Sequence, residues 1–333
     1  MAATQSLCHQ LTPRSVWHAP CLTSKKTMRH HKTLTDVKLS HSWVTLGAFD
    51  GVHLGHQQII RQLTSQAHQA KQPAVVVTFH PHPALVLSGK TFPIYLTTPA
   101  RKAEILEQLG VDIVITYPFT HQTANLTAEE FIVNLNEHLN MRQLWVGYDF
   151  AMGKDRKGTS QKLSRLGEKQ GYTLKQIAPF YKEGQIVSSS WIRELLTEGK
   201  VERAAKLLGR PHQIMGKVVK GDQRGKSLGF ATANLEIAPT MARLRSGVYA
   251  CYAWVNGERR SAVTNVGVRP TFEEKPVPQR IETHILGFSG DLYEVPLVVE
   301  FIAFLRVERK FTDIAALKTQ ITQDINRANQ LLA

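Results

Sequence analysis

The ten residues Gly47–His56, reading GAFDGVHLGH, combine glycines with two histidines three positions apart, His53 and His56. They follow an apolar, strand-like run, Trp43–Leu46, and lead into a helical pattern. A glycine-containing turn before a helix N-terminus can hold phosphates, because its backbone approaches closely and its free N–H groups and dipole attract anions. The two histidines add donors that can become cationic. The loop therefore suits a reaction in which phosphates are positioned and their charge is stabilised.

Further stretches carry polar side chains directly after predicted strands. They are Thr78–Pro83, Gly147–Gly153 with the basic loop Lys154–Gly158, and Val187–Arg193. In a parallel sheet these stretches meet at one edge, where Arg193 can reach a phosphate with both arms of its guanidinium. Each stretch alone is more simply a turn or a helix cap, and an isolated H-x-x-H is more simply an exposed polar loop. Metal binding by the histidines is disfavoured because no third ligand lies nearby at a metal-site spacing.

The stretch Gly216–Asn234 is rich in glycines and cations and forms a second candidate site. A flexible basic glycine loop can cover a triphosphate. Thr232 and Asn234 supply oxygen ligands of the kind that Mg²⁺ accepts beside phosphate and water. From spacing alone, an ordinary hairpin loop explains this stretch slightly better.

Alternating strand and helix patterns occupy the chain from Trp43 to Leu208. This alternation predicts a doubly wound parallel sheet with its site at the carboxyl ends of the strands. The predicted strands are Trp43–Leu46, Ala74–Phe79, Asp112–Tyr117, Gln143–Val146 and Thr173–Ile177. Helices are predicted over 56–70, 98–110, 127–140, 161–170, 188–196 and 201–208. A Thr-Pro pair starts the second of these helices, and a capping box starts the third.

After Gly209 the pattern changes to short β-branched segments separated by Gly and Pro turns. This pattern is typical of a small antiparallel barrel or sandwich. The segments are Ile214–Lys220, Val248–Val255, Ser261–Val266, Ile281–Leu286 and Leu297–Leu305. An amphipathic helix from Asp313 to about Gln330 follows them. We therefore predict an α/β + β fold: an N-terminal doubly wound parallel sheet of the Rossmann type, then a C-terminal small antiparallel β-barrel with a terminal helix.

Size and composition limit the class of protein. A chain of 333 residues can form two domains. No apolar run approaches the roughly 20 residues that cross a bilayer. The scattered Cys8, Cys21 and Cys251 fit neither a zinc site nor a disulfide framework, which favours a reducing compartment. The net charge of +14 suits nucleic acid or anionic small substrates, but a generally basic surface explains it best because no nucleic-acid-binding motif accompanies it.

Residues 1–35 contain no Asp or Glu and carry several Lys and Arg residues. They lack the apolar core of a secretory signal, although an acid-free basic leader is compatible with a transit peptide. We expect a disordered leader, or a mis-assigned start upstream of a true initiator at Met28.

The Gly47–His56 string is similar to the H-x-G-H signature of nucleotidyltransferases, in the G-x-F-D-G-x-H-x-G-H form of the bacterial bifunctional riboflavin kinase/FAD synthetase family. The later strand-end stretches resemble that family's T-x-x-P-H-P, G-x-D-F-x-F-G and I-S-S-T-x-x-R motifs, with Met152 and Ser190 replacing Phe and Thr. The resemblance implies adenylyl transfer from ATP to FMN, which gives FAD and pyrophosphate.

The same resemblance implies roles for individual residues. His53 and His56 would stabilise the triphosphate, and Asp149 would line the nucleotide site. Ser189 and Arg193 would hold the outer phosphates. The motifs imply further nucleotide or substrate contacts at Gly47, Phe49, Asp50, Gly55 and His82.

Residues 216–234 resemble the riboflavin kinase motif G-x-x-x-G-R-x-L-G-x-P-T-A-N, and the match continues through Asn265–Phe272, Glu282–His284 and Arg306–Phe311. The resemblance implies that Glu282 takes the proton from the ribityl 5′-hydroxyl of riboflavin. It implies metal ligation by Thr232 and Asn234. Further implied contacts are Gly216, Gly221, Lys226, Gly229, Asn265 and Arg306.

Two residues depart from the kinase motif. Lys226 replaces the usual Arg, and Ala231 replaces the usual Pro. Since Pro fixes φ, Ala could loosen the placement of Thr232 and raise the requirement for ATP or Mg²⁺.

The eight or so motifs in unbroken order predict a bifunctional enzyme, with a leader at 1–35, an FMN adenylyltransferase domain at 36–198 and a riboflavin kinase domain at 199–333. Riboflavin, FMN and ATP would be its substrates, with Mg²⁺ as the divalent cation. We expect a cytoplasmic monomer or weak homo-oligomer with no nucleic-acid or membrane partner. Two alternatives are that only one activity is retained, or that the chain is a basic flavin- or nucleic-acid-binding protein with degenerate sites.

Overall fold

The computed structural model describes residues 27–221, 225, 228–268 and 279–333. The strands of the N-terminal half, in chain order, are β1 (Arg29–His31), β2 (Ser42–Leu46), β3 (Ala74–His80), β4 (Ile113–Pro118), β5 (Met141–Gly147), β6 (Ala151–Met152), β7 (Gly158–Thr159), β8 (Thr173–Ile177), β9 (Tyr181–Lys182) and β10 (Gln185–Ile186). Six of them form one sheet in the order β1-β4-β3-β2-β5-β8, and every neighbouring pair is parallel. The remaining four form two short antiparallel pairs, β6 with β7 and β9 with β10.

Helices cover both faces of this sheet, so its central strands are buried; the first five residues of β3 are buried without interruption. The helices are α1 (Leu54–Gln69), α2 (Pro83–Ser88), α3 (Pro99–Gln108), α4 (His121–Asn125), α5 (Ala128–Leu139), α6 (Ser160–Gln170), α7 (Ser189–Thr197) and α8 (Val201–Leu208). The predicted caps are present: Thr98 accepts from Arg101 N–H at the start of α3, and Thr127 forms a capping box with Glu130 at the start of α5. The predicted doubly wound parallel sheet is confirmed.

One expectation for the N-terminal region is wrong. The disordered leader was expected to extend to residue 35, but Arg29–His31 form β1 and pair in register with Ile113–Ile115 of β4. Leu34 and Val37 are buried in the core beneath the sheet. The short edge strand consists of basic and polar residues, so no apolar pattern marked it. Residues 1–26 lie outside the described part of the chain, so the prediction of a disordered leader over those residues stays untested.

The C-terminal half is a closed antiparallel barrel in the order β11-β12-β15-β14-β13-β16, as predicted. Its elements are β11 (His212–Val219), β12 (Ala233–Glu236), β13 (Gly247–Val255), β14 (Glu258–Val268), β15 (Gln279–Ile285), β16 (Pro296–Arg306) and the terminal helix α9 (Ile314–Leu332). The predicted strands did not include β12, which closes the barrel between β11 and β15. Asp313 caps α9 by accepting from Ala316 N–H.

The two halves share a hydrophobic core. Ile192 and Leu196 of α7 belong to the same buried cluster as Tyr249 and Phe301 of the barrel. Main-chain hydrogen bonds also join the halves, because Ile94 and Tyr95 both donate to Thr240 O. The sheet-edge loops are therefore in contact with the barrel domain.

Candidate active sites

The turn that follows β2 has an unusual backbone. Phe49, Gly51 and Val52 have φ values of +46°, +77° and +39°. Glycine is required at position 51, because a Cβ there would lie 2.8 Å from Leu96 Cδ1. The left-handed region is unfavourable for a β-branched residue such as Val52, which is fully buried. This turn places His53 at the N-cap of α1 and His56 in its first turn.

The rings of His53 and His56 stack with their centroids 3.6 Å apart. Burial lowers the pKa of His53 to about 4, helped by the charges of Arg193 and Arg210. Burial also lowers the pKa of His56, with further contributions from His53 and Lys102. The Nδ1 atoms of both rings are buried and find no hydrogen-bond partner among the described residues. Both rings are therefore neutral at pH 7 in the free protein, and each retains unused hydrogen-bonding capacity.

Asp50 connects the turn to two other candidate residues. Its carboxylate is buried, pairs with Arg193 Nη2 at 2.9 Å and accepts from the N–H groups of Leu96 and Thr97. Burial raises the pKa of Asp50, and the charge of Arg193 opposes that effect. The hydroxyl of Ser189 donates to Asp50 O at 2.9 Å. The motif residues Asp50, Ser189 and Arg193 thus lie together.

Arg193 is also held by the segment before α3. Its Nε donates to Ile94 O at 2.6 Å. Part of the guanidinium is therefore occupied within the fold, and its orientation is fixed. The side chain of Arg193 is 21% exposed, so the group stays partly accessible to solvent.

Lys102 belongs to this site, although sequence reasoning missed it. Its side chain is buried, and Nζ donates to Ala48 O at 2.7 Å and to Thr78 Oγ1 at 2.9 Å. Burial lowers the pKa of Lys102 to about 8, while Asp50 opposes the shift. One sequence signal was available: Lys102 is at helical spacing from the apolar residues Ile105 and Leu106, with which it is buried in α3.

The other predicted residues of the first site lie on loops after adjacent strands, except Gly55, which is in the first turn of α1. Gly47 follows β2, and a Cβ there would be 3.1 Å from the Phe49 ring. His82 caps α2 through Nδ1, and burial lowers its pKa to about 4, helped by Arg193 and Lys102. Asp149 is an exposed residue after β5, and Gly55 approaches the His53 ring. Because β3, β2 and β5 are neighbours, these loops share one edge of the sheet.

The second site is a cavity of about 290 Å³ in the barrel domain. Its lining includes Thr232, Asn265, Glu282, Arg306 and Phe311. The apolar residues Leu317 and Ile321 of α9 also face the cavity. This combination of polar groups with aromatic and aliphatic side chains suits a flat, partly polar ligand.

Strand register brings three of the predicted residues together. Glu282 on β15 lies directly opposite Asn234 on β12 and opposite Asn265 on β14. Its carboxylate forms an ion pair with Arg280. Asn234 Oδ1 accepts from Arg280 Nε at 3.4 Å, and Asn265 donates to Glu308.

The predicted glycines of the second site have different surroundings. A Cβ on Gly221 would overlap the side-chain amide of Asn234, so this glycine allows the main chain to approach that residue. Gly216 lies in β11 against the main chain of Glu236. Gly229 has a φ of +89°. Lys226 lies outside the described residues.

Arg306 contacts the terminal helix. Its guanidinium donates to both carboxylate oxygens of Asp324, at 2.8–3.0 Å. Among the described residues no group of three or more His, Cys, Asp or Glu side chains could hold a metal ion. Thr232 and Asn234 instead offer a hydroxyl and an amide oxygen, which suit Mg²⁺ together with phosphate and water.

A strained glycine- and histidine-containing turn before a helix, at the carboxyl edge of a parallel sheet and joined to a barrel with a polar cavity, is the arrangement expected of a two-domain transferase of phosphorus-containing groups. Two family models match the chain: FAD synthetase over residues 36–191 and riboflavin kinase over residues 208–332. The bifunctional riboflavin kinase/FMN adenylyltransferase of Bacillus subtilis is 38% identical over 305 residues, which cover 91% of this chain and 95% of that one. The proteins of that name from Pseudomonas fluorescens and Escherichia coli K12 are 37% and 34% identical, covering 87% and 84% of this chain and 92% and 90% of theirs.

The chain belongs to the bifunctional riboflavin kinase/FMN adenylyltransferase family. The predictions of an enzyme and of two-step flavin cofactor synthesis are confirmed.

A crystal structure described as a macrolide-efflux protein from Streptococcus pneumoniae is similar over the whole fold. Its TM-score is 0.81 at 28% identity, and the match covers 91% of this chain and 99% of that chain. This likeness supports the arrangement of both halves. None of the helices in the described part of the chain has the length and apolarity needed to span a bilayer.

Proposed function

We propose that adenylyl transfer from ATP to FMN takes place at the Gly47–His56 loop. The observation that carries this proposal is the stacked pair His53 and His56 at the N-terminus of α1. The buried Nδ1 atoms of both rings have no hydrogen-bond partner among the described residues. Neutral imidazoles can donate to phosphate oxygens, and the arriving negative charge would raise the pKa of both rings. Arg193, held by Asp50 and Ile94 O, supplies a fixed cation for the outer phosphates.

We propose that Glu282 is the base for phosphorylation of riboflavin in the barrel cavity. Glu282 lies opposite Asn234 on one neighbouring strand and Asn265 on the other, and Glu282, Asn265 and Thr232 are among the residues that line the cavity. The carboxylate would take the proton of the ribityl 5′-hydroxyl as that oxygen attacks the γ-phosphorus of ATP. The bond from the γ-phosphorus to the β,γ-bridging oxygen breaks and ADP leaves, which gives FMN. Mg²⁺, when bound through Thr232, Asn234 and the phosphates, would neutralise phosphate charge.

Two variants separate the activities. Purified full-length protein is given riboflavin or FMN with Mg-ATP, and riboflavin, FMN and FAD are separated. We expect His56→Ala to form FMN from riboflavin but little FAD, and Glu282→Gln to convert supplied FMN to FAD but to leave riboflavin unchanged. The exposed His121→Ala is the control for the histidine change.

This division of roles would be contradicted by a variant that loses both activities. A variant that keeps both activities would also contradict it. A wild-type chain that stopped at FMN would favour the alternative with a single activity. Omitting Mg²⁺ in the presence of EDTA tests the metal requirement, and restoring it with Mg²⁺ should recover both reactions.

Three further assignments stay predictions. The division of the activities at residues 198 and 199 agrees with the spans of the two family models, which end at 191 and begin at 208. The prediction of a cytoplasmic location rests on the scattered cysteines, which favour a reducing compartment; among them, Cys251 is free and buried. The oligomeric state and the absence of a nucleic-acid partner are open to sedimentation and binding measurements.

A further inference from the structure

The main-chain carbonyls of the strained turn before His53 are bound by a residue from far along the chain. Arg210 Nη2 donates to Gly51 O at 2.5 Å, and Arg210 Nη1 donates to Val52 O at 3.2 Å. A third bond joins Nη1 to Leu208 O at 3.1 Å. The guanidinium thus connects the turn to the segment that enters the barrel.

We infer that Arg210 is a positioning residue for adenylyl transfer, acting through the main chain of Gly51 and Val52 on His53 and His56. This inference rests on the proposed function of the two histidines. Arg210 lies within the span of the riboflavin kinase model, whereas the turn lies within the span of the FAD synthetase model. The kinase half therefore supplies part of the framework of the adenylyltransferase site.

The turn needs such support because its conformation is intrinsically unfavourable. Val52 has a φ of +39°, which persists in a protein only when surrounding contacts enforce it. The carbonyls of the two peptide bonds that flank Val52, Gly51 O and Val52 O, both accept from one guanidinium, whose planar fork can hold both in fixed directions. Burial and the neighbouring Arg101 lower the pKa of Arg210 to about 10, so the group stays charged at neutral pH.

Gln57 forms a second, weaker connection of the same kind. Its Nε2 donates to Val52 O at 2.9 Å and to Leu208 O at 2.8 Å. Gln57 is on α1 itself, so these bonds connect the helix that carries His56 to Val52 O and Leu208 O, which Arg210 also binds. Arg210 also donates to Gly51 O, which Gln57 does not bind, so its removal releases the side of the turn that Gln57 does not hold.

The test compares Arg210→Ala, Arg210→Lys and the control Arg203→Ala in the full chain. Arg203 is on α8 close by in sequence and forms an exposed ion pair with Glu183. Displacement of catalytic groups by about 1 Å can cost about 10²-fold in rate. We expect a loss of that order in kcat for FMN adenylylation in Arg210→Ala, a smaller loss in Arg210→Lys, and little change in the KM for ATP. Riboflavin phosphorylation, and both reactions of Arg203→Ala, should stay close to wild type.

Chemical rescue distinguishes positioning from a general loss of structure. Guanidinium chloride, well below unfolding concentrations, should restore part of the adenylylation of Arg210→Ala, and urea should not. The inference is overturned if Arg210→Ala keeps adenylylation within about threefold of wild type. It is also overturned if Arg210→Ala and Arg210→Lys both lose the two activities in parallel without rescue. Loss of adenylylation in His56→Ala tests the proposed function separately, whatever Arg210 does.

Discussion

Burial keeps several histidines of the protein neutral. His53 and His82 at the first site both have a pKa lowered to about 4 by burial. Neutral rings at the N-terminus of α1 do not repel Arg193 or Lys102 before a nucleotide binds. Phosphates that enter the site bring the negative charge that would favour protonation. The site can therefore hold two cations in the free protein and gain further donor strength from the nucleotide itself.

His212 allows the energetic consequence of such burial to be measured outside both sites. It is buried in the barrel, and burial together with the charge of Arg210 lowers its pKa to about 3. The unfolded chain takes up a proton near pH 6.5 whereas the folded chain does not, so this residue destabilises the fold increasingly as pH falls from about 6.5 towards 3. The unfolding free energy of the wild type should fall between pH 7 and pH 5. We expect this fall to be smaller in His212→Gln by about 2 kcal/mol.

Denaturant unfolding at the two pH values checks this expectation, and the exposed His121→Gln is the matched control. Equal losses in His212→Gln and wild type would mean that His212 is protonated in the folded protein.

At the scale of elements, α3 supports the ends of two strands. Lys102 crosses from this helix to Ala48, which follows β2, and to Thr78 in β3. Thr78 Oγ1 also donates to Ala48 O at 2.9 Å, so the three residues form a closed set of hydrogen bonds. The strands end here in loops that carry the site, and the buried ammonium fixes the spacing of those loops.

Replacing Lys102 by Met should loosen this junction while keeping most of the side-chain volume. The loss of a hydrogen bond from a charged donor to a buried acceptor costs about 1.5–3 kcal/mol. We expect Lys102→Met to lower the unfolding free energy by that order and to slow FMN adenylylation, with riboflavin phosphorylation unchanged. Lys169→Met, at an exposed position on α6, is the control. Unchanged stability and adenylylation in Lys102→Met would contradict a supporting role for α3.

Whole elements were predicted well where the pattern is local. The repeated apolar spacing of α1 and the continuous apolar run of β3 are both present in the structure. The strand β12 was missed because it is only four residues long and includes Asn234 and Glu236. Lys102 and Arg210 were missed as site residues for a different reason. Lys102 donates to Ala48 O and Arg210 to Gly51 O and Val52 O, which are main-chain carbonyls distant in sequence, and such carbonyls cannot be read from the residue types.

At the scale of the molecule, the two activities share structural support. The buried cluster that fills the barrel extends through α8 and α7, and α7 carries Ser189 and Arg193 of the adenylyltransferase site. Polar contacts reinforce the connection: Arg101 Nε donates to Gln213, which donates to Glu300. The sheet has a separate core, in which α5 packs through Phe131 and neighbouring residues. Damage to the shared core should therefore affect both reactions, and damage to the core of the sheet should affect one.

Two substitutions of the same chemical type test this asymmetry. Leu196 of α7 is fully buried in the shared core, and Leu135 of α5 is fully buried in the core of the sheet. Each Leu→Ala change should cost about 2–5 kcal/mol through lost contacts and the resulting cavity. We expect Leu196→Ala to lower the half-inactivation temperatures of both reactions together, and Leu135→Ala to lower that of FMN adenylylation while phosphorylation survives. Residual activity for each reaction is measured after brief heating. If phosphorylation in Leu196→Ala keeps the half-inactivation temperature of the wild type, the barrel does not depend on α7.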